Sequence, residues 1–248
     1  MRDADSSLRN QTTIESLVSR IEPFIPNAQS TLQETVTGAL AELSTWWTER
    51  SSDKVAISHL NTADMQGLSN GVETANTAID SGANLIVLTS SLDHCSSQTR
   101  AIIGLLTRRD AFAVFFQDRG VSDQQAMKSI QQIRDLMHAS RAIRGEAVQL
   151  AALDSTVEFT LGILLTASAR KTPVITGNAE HLAAALIAQR LSMKASSWWR
   201  HGSTSADPAI VQALNRLDIP RGLALDLTDH TGLGARISAQ ILQEFILD

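Results

Sequence analysis

The stretch NLIVLTSSLDHCSSQTRAIIGLLTRR, from Asn84 to Arg109, decides the fold. It opens on an apolar run, NLIVLTS (Asn84–Ser90), with no polar alternation. A strand of that kind is covered on both faces, as in a parallel sheet packed between helices. A polar loop follows, TSSLDHCSSQT (Thr89–Thr99), and SSQTRAIIGLLTRR then reads as a helix. Strand, polar loop and helix make half of a βαβ unit.

The same grammar recurs on both sides. VAISHL (Val55–Leu60), AFAVFFQ (Ala111–Gln117), TPVITG (Thr172–Gly177) and GLALDLT (Gly222–Thr228) read as further strands. Pro173 stands at a strand start, where its missing N–H is tolerated. Between them lie helical stretches: GVETANTAIDSGA ending at Gly82, SDQQAMKSIQQIRDLMHAS with Ser122 as N-cap, and a run from Ala147 to Arg170. AEHLAAALIAQRL, DPAIVQALNRLD with Pro208 in its first turn, and GARISAQILQEFIL complete the set. Residues 1–10 read as frayed. Ile14, Leu17, Val18 and Ile21 recur at helical spacing until Pro23 and Pro26, and a second helix is expected from Ala28 to Trp47. The expected architecture is α/β: a three-layer, mostly parallel Rossmann-like sheet flanked by helices, with a helical N-terminal segment (1–54) and a core (55–248). The pairs Trp46-Trp47 and Trp198-Trp199 are candidates for packing or subunit contact.

Composition narrows the function. The 248 residues carry a net charge of -5, which argues against a broad nucleic-acid footprint. Arg108-Arg109 and Arg141 to Arg144 read as solvated helix ends. A single cysteine, Cys95, excludes an intrachain disulfide and fits a reducing, cytoplasmic setting. The N-terminus has no apolar core of a signal peptide, and no run approaches the ~18 apolar residues of a membrane span.

In parallel sheets, ligands bind outside the carboxyl ends of the strands. That nominates the loops after Leu60, at Thr89–Ser97, Gln117–Gly120, Gly177–Glu180 and Thr228–Gly234. None carries a dinucleotide, P-loop or nucleophile-elbow motif. At Thr89–Ser97, hydroxyls and a helix N-terminus would hold an anion, or Ser96 or Ser97 simply caps the helix. Asp93, His94 and Cys95 are adjacent and do not converge on one ion, so no metal and no cofactor is expected. Cys95 as a nucleophile needs a base such as His94 or His230; the alternative is an inert cysteine at a helix start. His181 sits one turn into its helix beside Glu180. Asp229 and His230, at the last strand's end, read as a general base or as a structural pair.

From Val55 onward, the order of segments resembles the nicotinate-nucleotide:dimethylbenzimidazole phosphoribosyltransferases. The resemblance rests on ANLIVLTSSLDHCSSQTRAIIGLLTRR, DRGVSDQQAMKSIQQI, LGILLTASARKTPVITGNAEHLAAALIAQRL and STSADPAIVQALNRLDIPRGLALDLTDHTGLGA. It implies a parallel sheet flanked by helices, a small helical domain and a homodimer. It also implies a reaction. A glutamate in the last loop deprotonates the benzimidazole, a Gly-rich loop holds the nucleotide phosphate, and the azole displaces nicotinate from ribose.

The chemical letters depart from that pattern. The family's Glu-Gly-x-Gly-Ala is Thr231-Gly232-Leu233-Gly234-Ala235 here. Losing a positioned base typically costs on the order of 10²–10⁴-fold. The glycines of the phosphate loop are replaced across Thr89–Ser97, and the Asp-Gly after the Pro-Val strand is Gly177-Asn178. Residues 1–54 offer little counterpart to the family's N-terminal region. Three readings stand open. The first is a non-catalytic or regulatory relative, binding nicotinate mononucleotide or a benzimidazole-like molecule as a homodimer or beside a paralogous subunit. The second is an active phosphoribosyltransferase with Asp229 or His230 as base. The third is an unrelated small-molecule enzyme on the same scaffold. The candidate ligand-binding residues are Ser90, Ser91, Ser96, Ser97, Gly177, Asn178, Gly232 and Gly234, with Thr231 at the family's base position.

Overall fold

The structure is a computed structural model that describes residues 29–51, 54–92, 94–117, 120–227 and 230–246. The helix expected around Ile14–Ile21, the frayed residues 1–10, and Asp93, Thr228 and Asp229 lie outside the described residues.

Among the described residues, five strands form one wholly parallel sheet: β1 (Ile57–Asn61), β2 (Leu85–Thr89), β3 (Val174–Thr176), β4 (Trp199–Ser205) and β5 (Arg221–Leu227), in the order β1-β2-β3-β4-β5. This is the fold class the sequence predicts. The order never reverses, so the connecting helices pack on one face: α2 (Leu68–Asp80), α3 (Ser97–Thr107), α6 (Ser155–Ala169), α7 (Ala179–Leu191) and α8 (Pro208–Leu217). Two further helices precede α6: α4 (Asp123–Ala139), started by a capping box at Ser122, and the short α5 (Ala147–Ala151). The opposite face is covered by α1 (Gln29–Thr48) and α9 (Leu233–Ile246).

Alternation along β2 and β3 feeds both layers. Ile86, Leu88 and Val174 point to the α2–α8 layer, and Leu85, Val87 and Ile175 to α1 and α9. All six are fully buried, each contributing about 1.5–3 kcal/mol of hydrophobic stabilisation. Helix α7 is apolar nearly all round because it is enclosed by α3, α6, α8 and the sheet; its alanines permit close approach.

Three expectations need correction, and one strand was not expected at all. AFAVFFQ is not a strand. Asp110 Oδ1 accepts the Ala113 N–H and starts a 3₁₀ turn at Phe112–Val114, while the Val114 carbonyl is taken by Arg100. Phe112 stands 73% exposed, and the Gln117–Gly120 loop therefore follows no strand. The run from Ala147 to Arg170 is two helices, because the Asp154 side chain caps α6 by accepting the Thr156 and Val157 N–H groups. The strand β4, WRHGSTS, has no apolar run to announce it. Its buried side chains are tied across the fold: Arg200 reaches Glu42 of α1 and the Arg221 carbonyl, although its Nε finds no partner among the described residues, and His201 bonds Thr176. Finally, Trp46, Trp47 and Trp199 are buried within the chain itself, so they are packing residues rather than subunit contacts.

Candidate functional site

The loops at the carboxyl edge do converge. Ser90 donates its N–H to the Thr231 carbonyl (2.9 Å), which ties the β2 loop to the last loop. Asn178 Nδ2 donates to the His230 carbonyl (3.2 Å), which ties in the β3 loop. Gly177 and Gly232 meet where these loops cross. A Cβ on Gly177 would lie 2.6 Å from the Leu88 carbonyl oxygen and 2.7 Å from Gly232 Cα, and Gly232 has φ +85°. Both positions need glycine for close approach, and Gly232 also for its backbone conformation. Gly234 lies against Ser203 of β4.

His181 is a fixed strut in this assembly. Its Nδ1 accepts the Gly177 N–H (3.0 Å), which leaves the ring proton on Nε2. That proton goes to Thr62 Oγ1 (2.8 Å), and the Thr62 hydroxyl is 3.2 Å from the Thr89 carbonyl. Burial, and then nearby His201, push the His181 pKa down to about 3. His230 is also buried, and its Nδ1 has no hydrogen-bond partner among the described residues.

The hydroxyls singled out from the sequence divide. Ser90 Oγ accepts the Leu92 N–H, Ser91 is exposed, and Ser97 is the first residue of α3. Ser96 caps α3 by accepting the Thr99 N–H (2.9 Å) and donates its own proton to Asp154 Oδ2 (2.5 Å). Thr99 Oγ1 donates to the same oxygen (2.8 Å), and the Ser96 N–H faces Glu180 Oε1 (3.4 Å). Two carboxyl groups thus stand at the α3 N-terminus. Glu180 is 1% exposed, and its Oε2 has no hydrogen-bond partner among the described residues. Burial and then the Asp154 carboxylate push its pKa up to about 7, against the pull of backbone N–H groups and Arg100.

Beside them opens a cleft of about 420 Å³, lined by Asp64, Gln66, His94, Ser96, Asp154 and Glu180 among others. Below it, Arg100 is committed to Asp207 through two hydrogen bonds (3.0 and 2.8 Å) and to the Val114 carbonyl. Burial raises the Cys95 thiol well above its ordinary pKa, with Glu180 adding to the effect, which disfavours a thiolate nucleophile.

Sequence reading gave Asp154 no part in the site and Glu180 no role. One signal was present: Asp154-Ser155-Thr156 followed by Glu158 and an apolar run is a helix-start pattern. It would have broken the long helix and placed Asp154 at the sheet's carboxyl edge.

Comparison with known proteins agrees with this fold. A phosphoribosyltransferase family model matches residues 40–246. The chain is 31% identical over 178 residues to the nicotinate-nucleotide–dimethylbenzimidazole phosphoribosyltransferase of Streptomyces avermitilis, covering 70% of this chain and 47% of that protein. It is 30% identical over 175 residues to the Corynebacterium efficiens protein of the same name, covering 70% and 45%. The chain therefore spans about half the length of these curated relatives. The crystal structure of CobT from Thermus thermophilus superposes with a TM-score of 0.64 at 22% identity, over 72% of this chain and 54% of that one, a likeness of fold. The reading as an unrelated enzyme falls away: the chain belongs to the phosphoribosyltransferase family of the nicotinate-nucleotide–dimethylbenzimidazole phosphoribosyltransferases.

Proposed function

We propose that this chain is a non-catalytic, ligand-binding relative within its family, with a regulatory role in assembly of the cobalamin lower-ligand nucleotide. One observation carries the reading: Asp154 and Glu180 take the Ser96 hydroxyl, the Thr99 hydroxyl and the Ser96 N–H at the α3 N-terminus. A helix N-terminus attracts a phosphate through its orphan N–H groups and dipole, and an ionised carboxylate there repels one. Thr231 at the family's base position supports the same conclusion, since a hydroxyl is a far weaker base than a carboxylate.

In this reading Ser90, Ser91, Ser96, Ser97, Gly177, Asn178, Gly232 and Gly234 frame a site whose ligand is benzimidazole-like or nicotinate mononucleotide, the former favoured by the carboxyl groups. Residues 55–248 form the α/β core, residues 1–54 a helical segment, and the assembly is a homodimer or a pair with a paralogous subunit. An active transferase using His230 or Asp229 is the second reading, favoured by the buried His230 Nδ1, which has no partner among the described residues.

Calorimetric titration with nicotinate mononucleotide and dimethylbenzimidazole, with nicotinate release followed on the same sample, separates the two. Binding without release is expected. Sustained release of nicotinate overturns the non-catalytic reading.

A further inference from the structure

We infer that the cleft between Asp154 and Glu180 binds a small organic cation, an amidinium or a protonated nitrogen heterocycle, with its charged N–H edge against the open oxygen of Glu180. Resting on the ligand-binding reading above, this names the ligand class of that site.

Three observations converge. The first is the charge of the lining. Asp64, Asp154 and Glu180 face the cleft, and among the described residues no lysine or arginine does. Arg100, the nearest guanidinium at the base of the site, is held in a bidentate pair with Asp207. An anion entering here would meet carboxylates with no free counter-charge.

The second is the difference between the two carboxyl groups. Both Asp154 oxygens are occupied: Oδ1 accepts the Thr156 and Val157 N–H groups, and Oδ2 accepts the Ser96 and Thr99 hydroxyls. Asp154 is therefore a fixed anchor between α3 and α6. Glu180 is held by backbone N–H groups alone, its own and, at 3.4 Å, that of Ser96, and its second oxygen is buried and unpartnered among the described residues. Buried polar atoms are normally hydrogen-bonded, so an acceptor without a partner on a residue that lines a cleft marks a place for a donor.

The third is the size and chemistry of that donor. No group of three or more His, Cys, Asp or Glu side chains among the described residues is arranged to hold a metal ion. A cavity of about 420 Å³ lies within the size range of small-molecule pockets and is far larger than a bare ion needs. A flat cation with an N–H edge supplies both the charge and the directed hydrogen bond, and charge-assisted bonds of this kind are the strong ones.

Such binding is linked to protons. The charged or titratable groups around Glu180 are Asp154 ahead of α6, Asp207 ahead of α8, Arg100 and Cys95 on and before α3, and His94 and Asp64 on the cleft wall. Free Glu180 holds its proton to about pH 7. A bound cation favours the ionised form, so binding below that pH expels the proton, and affinity rises with pH until Glu180 is ionised in the free protein.

The probe pair is benzamidinium and its neutral analogue benzamide, titrated by calorimetry into the full chain and into Glu180→Gln. The expected result is benzamidinium binding at least about tenfold tighter than benzamide, with the preference abolished by Glu180→Gln. A measurement on the unaltered protein covers the case in which that variant does not fold. Titration at about pH 6 in two buffers of different ionisation heat is expected to show proton release, which disappears at about pH 8.5. No benzamidinium binding, equal affinity for benzamide, retained preference in Glu180→Gln, or no proton release each overturns the inference. Nicotinate release is assayed separately, so turnover would overturn the non-catalytic reading while leaving the cation result legible.

Discussion

The backbone N–H of Gly177 points at Nδ1 of His181, 3.0 Å away, and so fixes the imidazole as the Nε2–H tautomer facing Thr62. A ring that accepts at one nitrogen and donates at the other has no place for a second proton. His201, bonded through Nδ1 to Thr176 (2.9 Å), is likewise held near pKa 3 by burial and then by Arg221.

The first prediction concerns acid. Both histidines have folded-state pKa values of about 3 against an ordinary 6.5, so between those values the unfolded chain binds more protons. Their stability is fully present above about pH 6.5 and falls as pH drops toward 3, by up to about 1.4 kcal/mol per pH unit for each ring. Glu180 acts in the opposite sense: its folded pKa of about 7 against 4.5 favours the folded state at low pH, and that contribution fades between about 4.5 and 7. Denaturant titrations from pH 4 to 8 should show Glu180→Gln steepening the rise of stability with pH between about 4.5 and 7, because the opposing contribution is gone, while the acid limb persists. An acid limb absent in the unaltered protein would contradict the assignment of both rings as neutral.

A second prediction tests the loop crossing. Gly177→Ala places a methyl between the Leu88 carbonyl and Gly232, both backbone and unable to swing aside. The expected cost is about 1–3 kcal/mol, read as a lowered midpoint in urea. Gly82→Ala meets no steric neighbour but stands at φ +99°, so any loss there is conformational strain rather than collision.

Arg100 and Asp207 provide the third. Arg100→Met removes one partner of a buried bidentate pair and leaves Asp207 charged and still capping α8 through the Ala209 N–H. Loss of about 3–5 kcal/mol is expected from breaking such a pair. A loss near zero, measured by chemical denaturation, would mean that Asp207 is protonated in the variant or reached by water.

The fourth addresses catalysis. Thr231→Glu restores the carboxylate of the family pattern on a loop still tied to Ser90. No nicotinate release is expected from this single change, because the α3 N-terminus keeps its two carboxyl groups. Turnover in the variant, followed by chromatography of free nicotinate, would show that the missing base alone had silenced the site.

The parallel sheet was legible because β2 and β3 are unbroken apolar runs with both faces buried, a pattern set by local hydrophobicity. β4 was illegible for the opposite reason. Arg200, His201 and Ser203 are polar letters whose burial depends on Glu42, Thr176 and other partners far off in sequence. AFAVFFQ misled because apolar content was high while the Val114 carbonyl belonged to Arg100 instead of a neighbouring strand. At the site, the converging loops followed from strand ends, and Gly177 and Asn178 could be placed. The pairing of Asp154 with Ser96 joins residues 58 positions apart, and no local pattern announces it.

The straight strand order has a consequence for biosynthesis. As strands are added in turn, each new crossover helix can cover the same side of the growing sheet at once. The other side, bearing Leu85, Val87, Ile175 and Leu223, is closed by α1 and α9, helices that bracket all five strands. Until α9 has left the ribosome that greasy surface stays partly bare, through translation of β2, β3, β4 and β5. Nascent chains stalled before Leu233 should therefore recruit chaperones that grip apolar segments, and chains released after Ile246 should let them go.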